Sequence, residues 1–377
     1  MLMTGLSGNE IYCLAQKGYG PGGIVVGNSV HSLGFVRGIT SSFKTLGGGE
    51  VTSITELIVD GRHAAINRLE KEAADEGARG LTGVTSELRG VGGLLEFIAI
   101  GSSVKGHEPS GPFFSTACSG QDLYCQVDAG YEPRHFVIGN VAYALGVGRG
   151  FTGGLKVLAR RGEVKEFSDM YNHTRHLALE RLEAEAAERG CNAVVDIITR
   201  IIPFGPGVRE MIMVGTGSHN PALGQPKIPY TSELTGEELW NLTQMGYAPL
   251  RLLLGTSVYA LGFAGGVSAF FQSFGRGEVD EVTRLVYDAR ENCLDHIRIE
   301  AEELKADAVI GIKIFINDIG AGLVEVMAIG TAIRKHSGVA TQSAQLIPQA
   351  IIRDRDTFFE QAPLMPGQPQ ARSLHRD

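Results

Sequence analysis

The sequence predicts an α+β protein made of three tandem repeats, each a sheet packed with its helices. Three stretches aligned almost without gaps carry that expectation, running from Ser7 to Gly34, Ser119 to Gly146 and Thr235 to Gly262. Each holds a Gly-Tyr pair at a fixed distance from its start (Gly18-Tyr19, Gly130-Tyr131, Gly246-Tyr247), with a proline two residues on at Pro21, Pro133 and Pro249. The match continues downstream through Gly49-Glu50-Val51, Gly162-Glu163-Val164 and Gly277-Glu278-Val279, then through Arg62, Arg175 and Arg290. Glu72-Ala73, Glu185-Ala186 and Glu300-Ala301 follow, and each repeat closes on a glutamate and a later glycine: Glu96 and Gly101, Glu210 and Gly215, Glu325 and Gly330. Within a repeat, apolar spacing changes from helical stripes to strand-like runs.

The elements follow in order. Ser7, Ser119 and Thr235 stand three residues before Glu10, Asp122 and Glu238, a capping-box spacing with a shorter acid in the second repeat. A short amphipathic helix is expected next, ending at the Gly-Tyr, where glycine supplies a left-handed cap. An apolar run from Ile24 to Val30 and its counterparts reads as a strand, and a short second helix is expected at Val36 to Leu46. The long helix is clearest in the third repeat: Val279, Val282, Val286, Ala289, Cys293, Ile297, Ala301 and Leu304 form one apolar stripe. Two strands, Asp307 to Phe315 and Leu323 to Ala332, complete an α-β-(α)-α-β-β unit. The expected domains are 4–108, 115–220 and 231–336, joined by linkers at 108–114 and 221–230. A tail, 337–377, is expected to dock a short segment around 347–359 and end in disorder.

Composition narrows the function classes. Hydrophobic residues make up 43% and charged residues 20%, enough for cores and too little charge for a disordered chain. The 51 glycines are roughly twice the usual share, yet they lack a three-residue period, which excludes collagen. A net charge of −8 argues against a nucleic-acid partner held through phosphate neutralisation. The start of the chain lacks the charged and apolar regions of a secretory signal, no apolar run is long enough for a membrane span, and five sparse cysteines suit a reducing compartment. The expectation is a cytoplasmic protein.

The strand-end pattern G-x-x-V/A-x-x-L-G, the Gly-Glu before the long helix and the helix motif running from the arginine to Glu-Ala resemble the YbjQ-like family, whose domains carry a heavy-metal-binding label. Gly190-Cys191-Asn192-Ala193-Val194-Val195 and Ala306-Asp307-Ala308-Val309-Ile310-Gly311 carry the family's strand entry, and Ile329-Gly330-Thr331-Ala332 its end. The resemblance implies a dodecin-like α/β sandwich that assembles into rings, with no established enzymatic activity. Single-domain relatives look pentameric. Three fused repeats, each with an added capped helix, suit a ring- or propeller-like arrangement of three, or of six from a homodimer.

The metal label is weighed against the residues. No C-x-x-C is present. Cys13 and Cys125 share one helix position in two repeats and could meet if those helices converge, although lone buried cysteines commonly pack as small hydrophobes. His173 and His176 are spaced to chelate, but a solvated helix face explains them as well. The glycines at Gly18, Gly20 and Gly23 fit a phosphate-loop spacing but follow a helix and precede a strand, the reverse of the dinucleotide motif. Glu50 is expected to cap the long helix.

Arg62, Arg175 and Arg290, with Glu72, Glu185 and Glu300, and Glu96, Glu210 and Glu325, recur in every repeat. Ten residues of helix separate each arginine from its helical glutamate by ~15 Å, so the two cannot pair within one helix and each can meet a partner from the neighbouring repeat. These nine are the candidate inter-repeat interface residues. Tyr19, Tyr131 and Tyr247 are expected to pack on the sheet with satisfied hydroxyls. The leading functional expectation is a non-catalytic, ring-forming protein that binds a metal ion or small ligand at the inter-repeat clefts. The alternatives are an enzyme with its site at one inter-repeat interface, Cys191, His173 and His176 being the first candidates, and a scaffold that docks protein partners through the tail.

Overall fold

The computed structural model describes residues 1–32, 49–91, 94–106, 112–144, 162–205, 207–260, 280–320 and 323–347. The expected helix at Val36 to Leu46, and all of the expected docked segment but Ile347, lie outside them. The fold is mixed α+β, with six α-helices and three sheets among the described residues.

The first repeat runs α1 (Gly8–Ala15), β1 (Tyr19–Ser32), β2 (Gly49–Glu50), α2 (Thr52–Asp75), β3 (Gly80–Val91) and β4 (Leu94–Gly106). The second runs β5 (Phe114–Ser115), α3 (Gly120–Asp128), β6 (Glu132–Ala144), β7 (Gly162–Glu163), α4 (Lys165–Glu188), β8 (Ala193–Gly205) and β9 (Val208–His219). The third runs β10 (Tyr230–Thr231), α5 (Gly236–Gln244), β11 (Tyr247–Ala260), α6 (Asp280–Glu303), β12 (Ala308–Gly320) and β13 (Leu323–Lys335). Each short helix is capped by its Ser or Thr, with full capping boxes at Ser7/Glu10 and Thr235/Glu238. Each is followed by a left-handed glycine, Gly18, Gly130 or Gly246, with φ of 77°, 87° and 78°. The first strand of each repeat is longer than its apolar run, because a register shift at the proline lets pairing begin near the tyrosine.

Three long antiparallel strands make each sheet, in the orders β1-β4-β3-β5, β10-β8-β9-β6-β2 and β12-β13-β11-β7. The long helix lies on one face. Gly27, Gly139 and Gly255 permit that approach: a Cβ there would fall 2.0–2.2 Å from the carbonyl oxygens of Ala65, Ala178 and Cys293 on the helix.

The short strands bind neighbouring repeats together. β2 of the first repeat pairs with β6 of the second, and β7 of the second with β11 of the third. In the opposite direction, β5 and β10 add in parallel to β3 and β8 of the preceding repeat. The expected linkers therefore end as strands. Two expectations fail here. Glu50 does not cap α2, whose N-cap Val51 makes no side-chain bond; strand pairing carries Glu50 to Arg181 at 2.7 Å. Tyr131 is fully buried beside Asn220, but its hydroxyl has no hydrogen-bond partner of good geometry.

The tail turns back at residue 336 and packs Val339, Leu346 and Ile347 beneath α3 and α5. Asp128 fixes it, accepting from Ser343, Lys17 and Trp240. The hydrophobic cores also cross repeat boundaries: Phe136, Ile138 and Ala142 of β6 belong to the core of α2 and the first sheet.

Candidate functional site: the inter-repeat joints

The repeated charged residues meet where one repeat packs on the next. α2 buries one helical face on its own sheet and presents Arg62 to the outer face of the second sheet. Arg62 donates through Nε and Nη2 to Glu210 at 3.2 and 2.7 Å, and through Nη1 to Ser86. Asn140 donates to the same carboxylate at 3.1 Å. One repeat on, Arg175 of α4 donates to Glu325 at 2.7 Å and to the Tyr143 hydroxyl at 2.8 Å, stacked on Tyr143 and Tyr171. Both ion pairs are fully buried. Burial works against the Arg175 charge, and the Glu325 carboxylate more than offsets it, raising the pKa.

The helical glutamates serve the same joints through histidines. His63 lies 3.2 Å from Glu185, and His176 Nε2 lies 2.6 Å from Glu300, with its Nδ1 on the Asn172 carbonyl. Glu185 also accepts from the Ile138 amide, as Glu72 does from Val26. Burial alone would depress the His176 pKa, but the bond to Glu300 leaves it raised. Burial likewise opposes the Glu185 charge, and His63 brings its pKa down on balance. A third layer joins the short helices, where Glu10 accepts from the Gly120 amide and Asp122 from the Gly236 amide. Between α2 and the second repeat lies a cleft of about 540 Å³, lined by Glu56, Asp60, His63, Asn140, Arg181 and Glu185 among others.

Every joint contact runs from one repeat to the next, so the third repeat's arginine is left over. Arg290 lies over the ring of Tyr287 on its own helix, 4.8 Å from its centre, and its one ion pair among the described residues is with its neighbour Glu291 at 3.1 Å, both groups nearly half exposed; Glu96 has no ion-pair partner among the described residues. Sequence reasoning matched the repeated partners as types, but it read His176 as a chelating or solvated residue and did not single out His63. The clue was present, since His63 and His176 occupy one helix position in two repeats.

Of the metal and enzyme candidates, the fold brings together only Cys13 and Cys125 from different repeats. Cys13 and Cys125 share one apolar cluster, and burial pushes the Cys13 thiol to about 11 and raises Cys125 further. Thiols held neutral are poor metal ligands. Both nitrogens of His176 are engaged, and His173 faces solvent. Among the described residues, no group of three or more His, Cys, Asp or Glu is placed to hold an ion. The donor set among the described residues therefore does not fit a resident heavy metal. Cys191 is buried just past the far end of α4, ~25 Å along the helix direction from the two histidines.

The family model described as "Putative heavy-metal-binding" matches three times, at residues 19–107, 130–219 and 245–336. The chain belongs to the YbjQ-like family. An encapsulin nanocompartment protein of Mycobacterium tuberculosis is 31% identical over 236 residues, spanning 59% of this chain and 88% of the relative. Single-repeat YbjQ-like relatives, described as UPF0145 proteins, include one from Pseudothermotoga lettingae (42% identical over 84 residues; 22% of this chain, 79% of the relative). Another, from Thermotoga maritima, is 39% identical over 84 residues with the same shares covered. No solved structure matches the chain. No helix is long and apolar enough to cross a membrane among the described residues.

Proposed function

We propose that this YbjQ-like protein is a non-catalytic, ring-forming binding protein of the cytoplasm, closing as six repeats from two chains. The observation that carries the reading is the repetition of one joint, with Arg62–Glu210 and Arg175–Glu325 both fully buried and both made through Nε and Nη2 of the arginine. A head-to-tail contact that recurs along a chain generates a ring when its rotation closes. The ligand sites of this reading are the inter-repeat clefts; the one at the first joint is lined by carboxylates, His63 and Arg181, a set that favours a small polar ligand over a soft metal. Native mass spectrometry of untagged protein tests both parts. Two chains of 40.3 kDa with retained small-molecule mass are expected; a bare monomer at all concentrations overturns the ring.

The M. tuberculosis relative supports a second element: the ring associates with an encapsulin nanocompartment, using the tail after Ser337 as its docking segment. Co-expression with an encapsulin, followed by sedimentation, checks this. The full chain should travel with the particles and a chain truncated after Ile347 should not; equal co-sedimentation of both rules out the tail.

A further inference from the structure

We infer that the two ends of the chain are the halves of one unmade joint, and that a second copy of this chain fills it. The inference rests on the ring reading and names its contact surface. On the first repeat, no described residue covers the outer sheet face: Ile24, Val26 and Val30 are 48–52% exposed. Their counterparts Phe136, Ile138 and Ala142 in β6 are at most 5% exposed, because the preceding repeat covers them. Leu94 repeats the contrast, exposed where Val208 and Leu323 are buried. In the middle of this apolar face, opposite Val30 in register, stands Glu96. Glu210 and Glu325 hold the matching places opposite Ala142 and Val258, and each receives an arginine.

The third repeat carries the other half. Arg290 Nε is buried with no hydrogen-bond partner among the described residues. Ile312, Ile314 and Ile316 of β12 are exposed, whereas Val84 and Ile197, at the place of Ile312, are buried. Beside them runs an apolar groove of about 310 Å³ lined by Leu294, Ile297, Ala301, Ala306, Ala308 and Val309. In the first repeat, the equivalent space takes Phe114, whose ring lies over Gly80, and the β5 strand pairs Phe114–Ser115 with Gly80–Leu81. In the second, Tyr230–Thr231 pairs with Ala193–Val194.

Counting back five residues from each helix cap aligns Phe114 and Tyr230 with Leu2, and Ser115 and Thr231 with Met3. Leu2 and Met3 are exposed, yet already in place. The Met3 carbonyl accepts from the Ile24 amide, where the Ser115 and Thr231 hydroxyls accept from Phe136 and Leu252. Gly8 gives an independent sign. Gly120 and Gly236 are pressed against Glu10 and Asp122 of the previous helix, while a Cβ on Gly8 would touch nothing. Its amide is the counterpart that Glu238 of a second chain would cap.

In the docked pair, Leu2–Met3 of one chain lies parallel to Ala308–Val309 of the other. Glu96 enters beneath Arg290, and the bare face of β1 closes over the β12 isoleucines. The charge swap tests this. Arg290→Glu and Glu96→Arg, each alone, should run as 40.3 kDa monomers with wild-type circular dichroism at concentrations where the wild type is oligomeric. Because the contact is head-to-tail, a 1:1 mixture of the two variants restores both charge pairs and should recover the oligomer. Leu2→Asp should weaken assembly at least ~10-fold. Variants as oligomeric as the wild type would overturn this joint and leave the ring to another surface. A wild-type monomer at every concentration would overturn both the joint and the ring.

Discussion

At the scale of single residues, the joint arginines illustrate how burial turns a modest ion pair into a sensitive one. With Glu210 and Arg62 both fully buried, Arg62→Ala leaves a carboxylate without its countercharge, held by Asn140 alone among the described residues. The expected cost is about 3–5 kcal/mol, read as a lower urea midpoint, whereas replacing both partners by apolar residues should be much milder. The same substitution at Arg290 should leave the isolated chain's stability within ~0.5 kcal/mol, since that side chain is nearly half exposed. His176 gives a pH signature. Its folded pKa is raised above the ordinary 6.5, so its pairing with Glu300 stabilises fully below that pH and is lost as pH rises through the folded pKa. Thermal melts should show the wild type losing stability over that interval and His176→Gln losing less.

Among the elements, the long helix and the first strand depend on a glycine that the apolar patterns alone do not explain. Gly139→Ala would place a methyl 2.0 Å from the Ala178 carbonyl, so α4 must move off β6. A destabilisation of about 1–3 kcal/mol is expected, measured by chemical denaturation. Gly162→Ala, with open space around it, is strained only by its φ of 128° and should cost less. The helices were legible because α6 keeps one apolar stripe and the short helices announce their caps. The short strands were not. Gly49–Glu50 and Tyr230–Thr231 are too brief to show a period, and they become strands only because an edge in another repeat is there to pair with them.

For the whole molecule, the five cysteines set a limit on metal chemistry. All are buried, with burial raising the thiol pKa at each. The native chain should therefore react slowly with a thiol reagent at pH 7, and added zinc should not change the rate; rapid labelling that zinc blocks would restore the metal reading. The sequence by itself determined the number of repeats, their element order and the residues that recur at the joints, because self-similarity and period are local properties of the chain. It pointed to Arg62, Arg175 and Arg290 because they recur in every repeat, out of reach of the glutamate on their own helix. Only the tertiary structure decided which carboxylate each arginine meets, that the histidines pair with the helical glutamates, and that Cys13 and Cys125 sit neutral in an apolar core. Those outcomes depend on how one sheet packs over the next helix. That packing brings together residues more than a hundred positions apart, and their spacing in the chain carries no record of it.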